Sequence, residues 1–159
     1  VTAAERIALR VPRDTFYLSL VRHAVTDLAR RAGFLPAAVA EIEMAVDEAC
    51  SNAVRHARGG RPLEGPAGPA PMGSAFYDAI SVDAVGDPAG ITVTIADGGE
   101  PFPFDRVGVE DLESYLATRQ AGGLGVYIIR RFMDEVEYRH EPERGNELRM
   151  RKYLAGART

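Results

Sequence analysis

Near the start of the chain polar and apolar residues alternate one by one. Ile7, Leu9 and Val11 stand between Arg6, Ala8 and Arg10, the period of a strand with one buried face, and Pro12 stops the pattern. The rhythm then lengthens. Tyr17, Leu20, Val21, Ala24, Val25 and Leu28 recur at helical spacing, with Asp14 or Thr15 available as a cap and Gly33 as the stop. After Pro36 a longer helix is expected, reaching about residue 57. Its stripe of Val39, Ile42, Val46, Ala49, Cys50, Ala53 and Ala57 keeps the 3.6-residue rhythm of one buried helix face.

Residues 58–75 break every pattern. Gly59, Gly60, Pro62, Gly65, Pro66, Gly68, Pro69, Pro71 and Gly73 cannot sustain a helix or a paired strand, so a surface loop is expected, read as a solvated insert. Period two returns at 80–85 and 91–95 across Gly86-Asp87-Pro88-Ala89-Gly90, which predicts a hairpin, and Asp97 follows directly. The segment 101–123 is irregular, with a short helix near 110–117; 124–132 is again helical, and strands are expected at 136–140 and 148–153, joined through Pro142 and Gly145. The order β-α-α-ββ-loop-α-ββ, with strands clustered, predicts an α+β fold. We expect a two-layer α/β sandwich over residues 1–159 as a single domain, its sheet mixed but mainly antiparallel, with helices on one face.

Composition narrows the classes. The 159 residues are 46% hydrophobic and 26% charged, enough for one buried core without staples. The single cysteine, Cys50, makes neither an internal disulfide nor a zinc site and suits a reducing compartment. No stretch has the length and apolarity of a membrane span, and the amino terminus mixes charge with apolar residues where a signal peptide would show an unbroken apolar run. A formal charge of −4 favours neither nucleic acid nor an anionic membrane as a direct partner. A cytoplasmic protein is expected.

Three groups of residues carry possible chemistry. Glu48, Asn52 and His56 are spaced four apart and climb one helix face, placing a potential general base one turn from an oxygen ligand for a hard cation; a solvated helix face has the same spacing. Asp97-Gly98-Gly99-Glu100 leaves a strand. Its carboxylate can accept from an exocyclic amine and its glycines let backbone approach a flat ring, although Asp-Gly is also an ordinary turn. Gly122-Gly123-Leu124-Gly125 precedes a helix, where free N–H groups and the helix dipole favour phosphate; a hinge or helix stop reads equally well. It is not the phosphate-loop form, which ends in Lys-Ser/Thr.

In this order the three groups resemble the ATP-binding site of the GHKL superfamily, which includes gyrase, Hsp90, sensor histidine kinases and MutL. Within it the chain is similar to the anti-sigma factor serine/threonine kinases that control bacterial stress and sporulation sigma factors. The resemblance is carried by EIEMAVDEACSNAVRHA at 41–57, GGLGVYII at 122–129 running into FMDEV at 132–136, and GNELRMRKYL at 145–154. It implies the GHKL (Bergerat) ATP-binding fold, with ATP or ADP and magnesium as cofactors. By position it makes Asn52 the magnesium ligand on the ATP phosphates, Glu48 the carboxylate that activates the attacking hydroxyl or water, and Asp97 the reader of the adenine amino group, with Gly99 beside the ring. Gly123 and Gly125 match the glycines lining the triphosphate, with Leu124 between them in the same cofactor-binding set, and 103–121 resembles the lid.

The implied function is phosphorylation of a STAS-type anti-anti-sigma partner by a protein that otherwise sequesters a sigma factor, with a homodimer as the implied assembly. The rival is a nucleotide-sensing anti-sigma module without productive transfer. Sensor histidine kinases, gyrase, Hsp90 and MutL carry further domains beside the ATP-binding one, and with these 159 residues filled by one such domain those readings are not expected. One position departs from the pattern: where many superfamily members have Gly-Thr before the last strand, this chain has Gly145-Asn146. His56 is read as packing at a helix end and Arg119 as solvent-facing.

Overall fold

A computed structural model of the chain describes residues 3–56, 79–101, 104, 124–142 and 144–157. The expected loop at 58–75, the short helix near 110–117, Gly122, Gly123 and Arg119 lie outside the described residues, as does the lid segment 103–121 apart from Phe104.

Among the described residues five strands form one sheet: β1 (Glu5–Pro12), β2 (Ala79–Asp87), β3 (Gly90–Asp97), β4 (Glu135–Glu141) and β5 (Gly145–Tyr153). Their order is β1-β2-β3-β5-β4, and among the described residues every pairing is antiparallel, in keeping with the mainly antiparallel sheet expected. Helices α1 (Leu18–Ala32), α2 (Pro36–His56) and α3 (Leu124–Phe132) complete the described elements, with a 3-10 turn at Thr15–Tyr17 ahead of α1.

Local chemistry sets these boundaries. Asp14 accepts from the Phe16 amide at 2.9 Å, so it caps the 3-10 turn, and α1 starts only at Leu18. Gly33 ends α1 in the left-handed conformation, φ 104°, with its N–H turned back to the Ala29 and Arg30 carbonyls. Pro36 opens α2, where a missing N–H costs nothing. Between β2 and β3 the Asp87 carboxylate accepts from the amides of Ala89 and Gly90, tightening the connection so that both strands run further than their apolar residues alone predicted.

The inner face of the sheet is ordered in rows across the strands. Ile7, Ala84, Val93, Met150 and Val136 form one row, and Leu9, Val82, Ile95, Leu148 and Tyr138 the next. The buried stripes of α1 (Val21, Val25, Leu28) and α2 (Ile42, Val46, Ala49) join this face in one hydrophobic cluster. The other face carries Arg6, Asp83, Thr94, Arg149 and Glu137, among which Arg6 pairs with Asp83. The third inner row starts apolar with Val11 and Ile80, then turns polar with Asp97, Asn146 and His140. That change marks the site. None of the helices described is long and apolar enough to cross a membrane.

Candidate functional site

The polar end of the third row opens into a pocket lined by Ala49, Asn52 and Ala53 of α2, Ile95 and Asp97 of β3, Phe104, Tyr138 of β4, and Asn146 and Leu148 of β5. Helix α2 supplies small residues beside Asn52, so its backbone sits close to the sheet and the carboxamide reaches the cavity. Asp97, the last residue of β3, is 7% exposed.

Asp97 is held by two donors on one oxygen. Its Oδ1 accepts from the Gly99 amide at 2.8 Å and from Asn146 Nδ2 at 2.9 Å, and among the described residues Oδ2 has no hydrogen-bond partner. Burial pushes the Asp97 carboxyl above its ordinary value, opposed by these two donors and, more weakly, by the nearby Arg13 and His140. Gly145 makes the contact possible. At φ 84° it brings β5 so close to β3 that a Cβ would lie 2.2 Å from the Asp97 carbonyl oxygen and 2.7 Å from Gly98 Cα.

The second half of the site lies where α2 meets α3. A Cβ on Gly125 would stand 2.6 Å from Glu48 Oε2 and 3.3 Å from Asn52 Nδ2, so the start of α3 rests directly on both side chains. Glu48 is partly exposed, with Arg55 Nη2 at 4.0 Å. The first N–H groups of α3, at 124–126, have no carbonyl within their own helix, and the dipole makes this end positive. A carboxylate, a carboxamide and a helix N-terminus thus converge at Gly125, and the carboxamide also lines the pocket that holds the buried aspartate.

Most residues singled out in the sequence therefore meet. Glu48, Asn52 and Gly125 are in contact distance, Asn52 and Asp97 share the pocket, Gly99 donates to Asp97, and Leu124 is 41% exposed at the start of α3. Sequence reasoning missed other residues in and behind the pocket wall. Asn146 stood out only as a departure, Tyr138 and His140 not at all; alternation in β4 places both on the inner face and was the available signal. Phe104 was missed too. Its ring stacks on Tyr138, with centroids 5.4 Å apart and planes at 18°, while the Arg130 guanidinium lies 4.9 Å from its centroid.

A profile of the histidine kinase-like ATPase domain matches residues 11–152, and the chain belongs to that family. Within it the chain is similar to serine-protein kinase RsbW of Bacillus velezensis, with 30% identity over 162 residues, covering 99% of this chain and 91% of the relative. RsbW of Bacillus subtilis is likewise 30% identical, over 98% of this chain and 89% of its own. A chain from the crystal structure of the SiaB-SiaC complex of Pseudomonas aeruginosa shares the fold, at a TM-score of 0.60 and 14% identity, covering 93% of this chain and 89% of that one.

Proposed function

We propose that this protein is an ATP-dependent anti-sigma regulatory factor of the serine/threonine kinase type, which phosphorylates a STAS-type anti-anti-sigma partner and otherwise sequesters a sigma factor. The meeting of Glu48 and Asn52 at Gly125, with Asp97 in the adjoining pocket, carries this reading. The name of the relatives, serine-protein kinase, supports it. The sigma and STAS partners, the homodimer and the bacterial cytoplasm come from the resemblance of the sequence motifs.

In this reading Asp97 Oδ2 accepts from the adenine amino group, Gly99 lies beside the ring, and Gly123, Leu124 and Gly125 take the phosphates at the start of α3. Magnesium binds through few protein oxygens, waters and substrate phosphates, and the Asn52 carboxamide fits that donor set. Bound there, the ion supplies charge neutralisation on the triphosphate. Glu48 takes the proton of the attacking hydroxyl as its oxygen bonds to the γ-phosphorus and the bond to the bridging oxygen breaks, releasing ADP. Such a transfer depends on positioning and electrostatics, for which one base, one carboxamide and oriented N–H groups suffice.

Calorimetry with ATP and ADP, with and without magnesium, tests the site. Magnesium-dependent ATP binding is expected, weakened by Asn52→Ala and abolished by Asp97→Asn. Glu48→Ala is expected to bind ATP yet stop transfer to the STAS-type partner, and normal transfer by that variant removes Glu48 as the base. Partner affinity that follows the nucleotide while no phosphoprotein forms would instead establish the sensor module.

A further inference from the structure

Asn146 is 6% exposed, and its carboxamide makes four hydrogen bonds. Nδ2 donates to Asp97 Oδ1 at 2.9 Å and to the Glu100 carbonyl at 3.0 Å. Oδ1 accepts from the Tyr138 hydroxyl at 2.6 Å and from His140 Nδ1 at 2.9 Å. An amide oxygen only accepts, so the His140 ring must carry its proton on Nδ1. The amide cannot turn over, because that would set its oxygen against a carboxylate and a carbonyl. A threonine here has a single hydroxyl proton and cannot hold both Asp97 and the Glu100 carbonyl.

We propose that Asn146 is a positioning residue that fixes Asp97 with Oδ1 occupied and Oδ2 left as the acceptor for the base, and so sets a preference for 6-amino over 6-oxo purine nucleotides. This rests on the pocket being a nucleotide site. A 6-amino group donates to an ionised Oδ2, whereas a 6-oxo group would bring a second acceptor against it. The two hydrogen bonds from Nδ2 also tie the 97–100 turn to β5, so the acceptor and the backbone beside it are held by one side chain.

Two substitutions separate positioning from mere packing, because they tilt the pH dependence in opposite directions. Among the described residues the charged or titratable groups around Asp97 are Arg13, from the segment after β1, and His140 and Tyr138, from β4; α2 presents the neutral Asn52. All of these groups remain in each variant. In Asn146→Leu the donor is lost and burial favours protonated Asp97, so ATP affinity falls as pH is lowered and returns as pH rises. In Asn146→Asp two carboxylates meet; one shared proton replaces the lost donor at low pH, and affinity falls as pH rises.

The experiment is calorimetry of ATP and GTP with magnesium on wild type and both variants between pH 6 and 9, with thermal melts to confirm folding. Expected are opposite pH trends and a fall of about tenfold or more in the ATP-over-GTP ratio for Asn146→Leu. Parallel trends, or an unchanged ratio, overturn the role of Asn146 while leaving the nucleotide site standing. Wild type that binds neither nucleotide overturns both. If the two variants do not fold, Tyr138→Phe decides, since it removes only one of the two donors orienting Asn146. A several-fold fall in the ATP-over-GTP ratio supports the proposal, and an unchanged ratio overturns it.

Discussion

Gly125→Ala separates catalysis from stability. The added Cβ would stand 2.6 Å from Glu48 Oε2, where ordinary contact begins at 3.4 Å, so the carboxylate must retreat by about 0.8 Å. The atom it meets is the far end of a flexible, partly exposed side chain, and the fold can yield there at little cost. Alanine is also the better helix former, by up to about 1 kcal/mol. The melting temperature is therefore expected to hold or rise, by up to about 2–4 °C for a chain of this size. The proposed phosphoryl transfer to a STAS-type partner is expected to behave differently. Displacement of a catalytic group by about 1 Å costs on the order of a hundredfold, and transfer at saturating ATP is expected to fall by that factor. The assay is single-turnover phosphorylation followed beside a thermal melt. A variant as stable as wild type that transfers within about threefold of its rate would refute the placement of Glu48 as the base at Gly125.

Gly145→Ala should do the reverse, because its Cβ would meet the backbone of Asp97 and Gly98 at a φ of 84°; a loss of about 3 kcal/mol or more in denaturant unfolding is expected, and a loss below about 1 would contradict the close approach of β5 to β3. Burial pushes the Cys50 thiol up to about 12, so native protein at pH 8 should resist maleimide and react only when unfolded; rapid native labelling would count against this packing. The Asp87 carboxyl is held below its ordinary value chiefly by the hydrogen bond from Arg151, so its contribution is present above the unfolded pKa and lost as pH falls through the lower folded one. Asp87→Asn should therefore cost about 1–2 kcal/mol at pH 7 and nothing measurable once both chains are below that folded value. A gap that stays constant into strong acid would show that charge is not involved.

The helices were legible because each has one apolar stripe and a chemical stop, as Gly33 shows at the end of α1. The hairpin of β2 and β3 was legible from period two. Strand β5 was expected only from residue 148 because it opens with a glycine, Gly145, and then Asn146 of the polar row, whose side chain answers to Asp97 instead of the core. Periodicity also says nothing of which strands are neighbours, and the insertion of β5 between β3 and β4 is what brings Asn146 beside Asp97 across 49 residues of chain. Glu48, Asn52, Asp97 and Gly125, the residues of the proposed site, were singled out through their motifs. Tyr138 and His140 both bond to the Asn146 carboxamide; alternation along β4 puts them on the inner face, but not beside a residue of another strand.

The third row of the sheet is the place where the hydrophobic interior stops before the sheet does. Val11 and Ile80 finish their share of the layer, whereas Asp97, Asn146 and His140 leave theirs open between α2 and β5. A flat heterocycle seated against Ile95, Leu148, Ala49 and Ala53 would be walled by the same residues that build the interior, as one more member of it. Occupancy and folding then become a single equilibrium: at a hundred times its dissociation constant such a ligand adds about 2.7 kcal/mol to the stability of the whole chain. The nucleotide would act on this protein as a missing piece of its sequence.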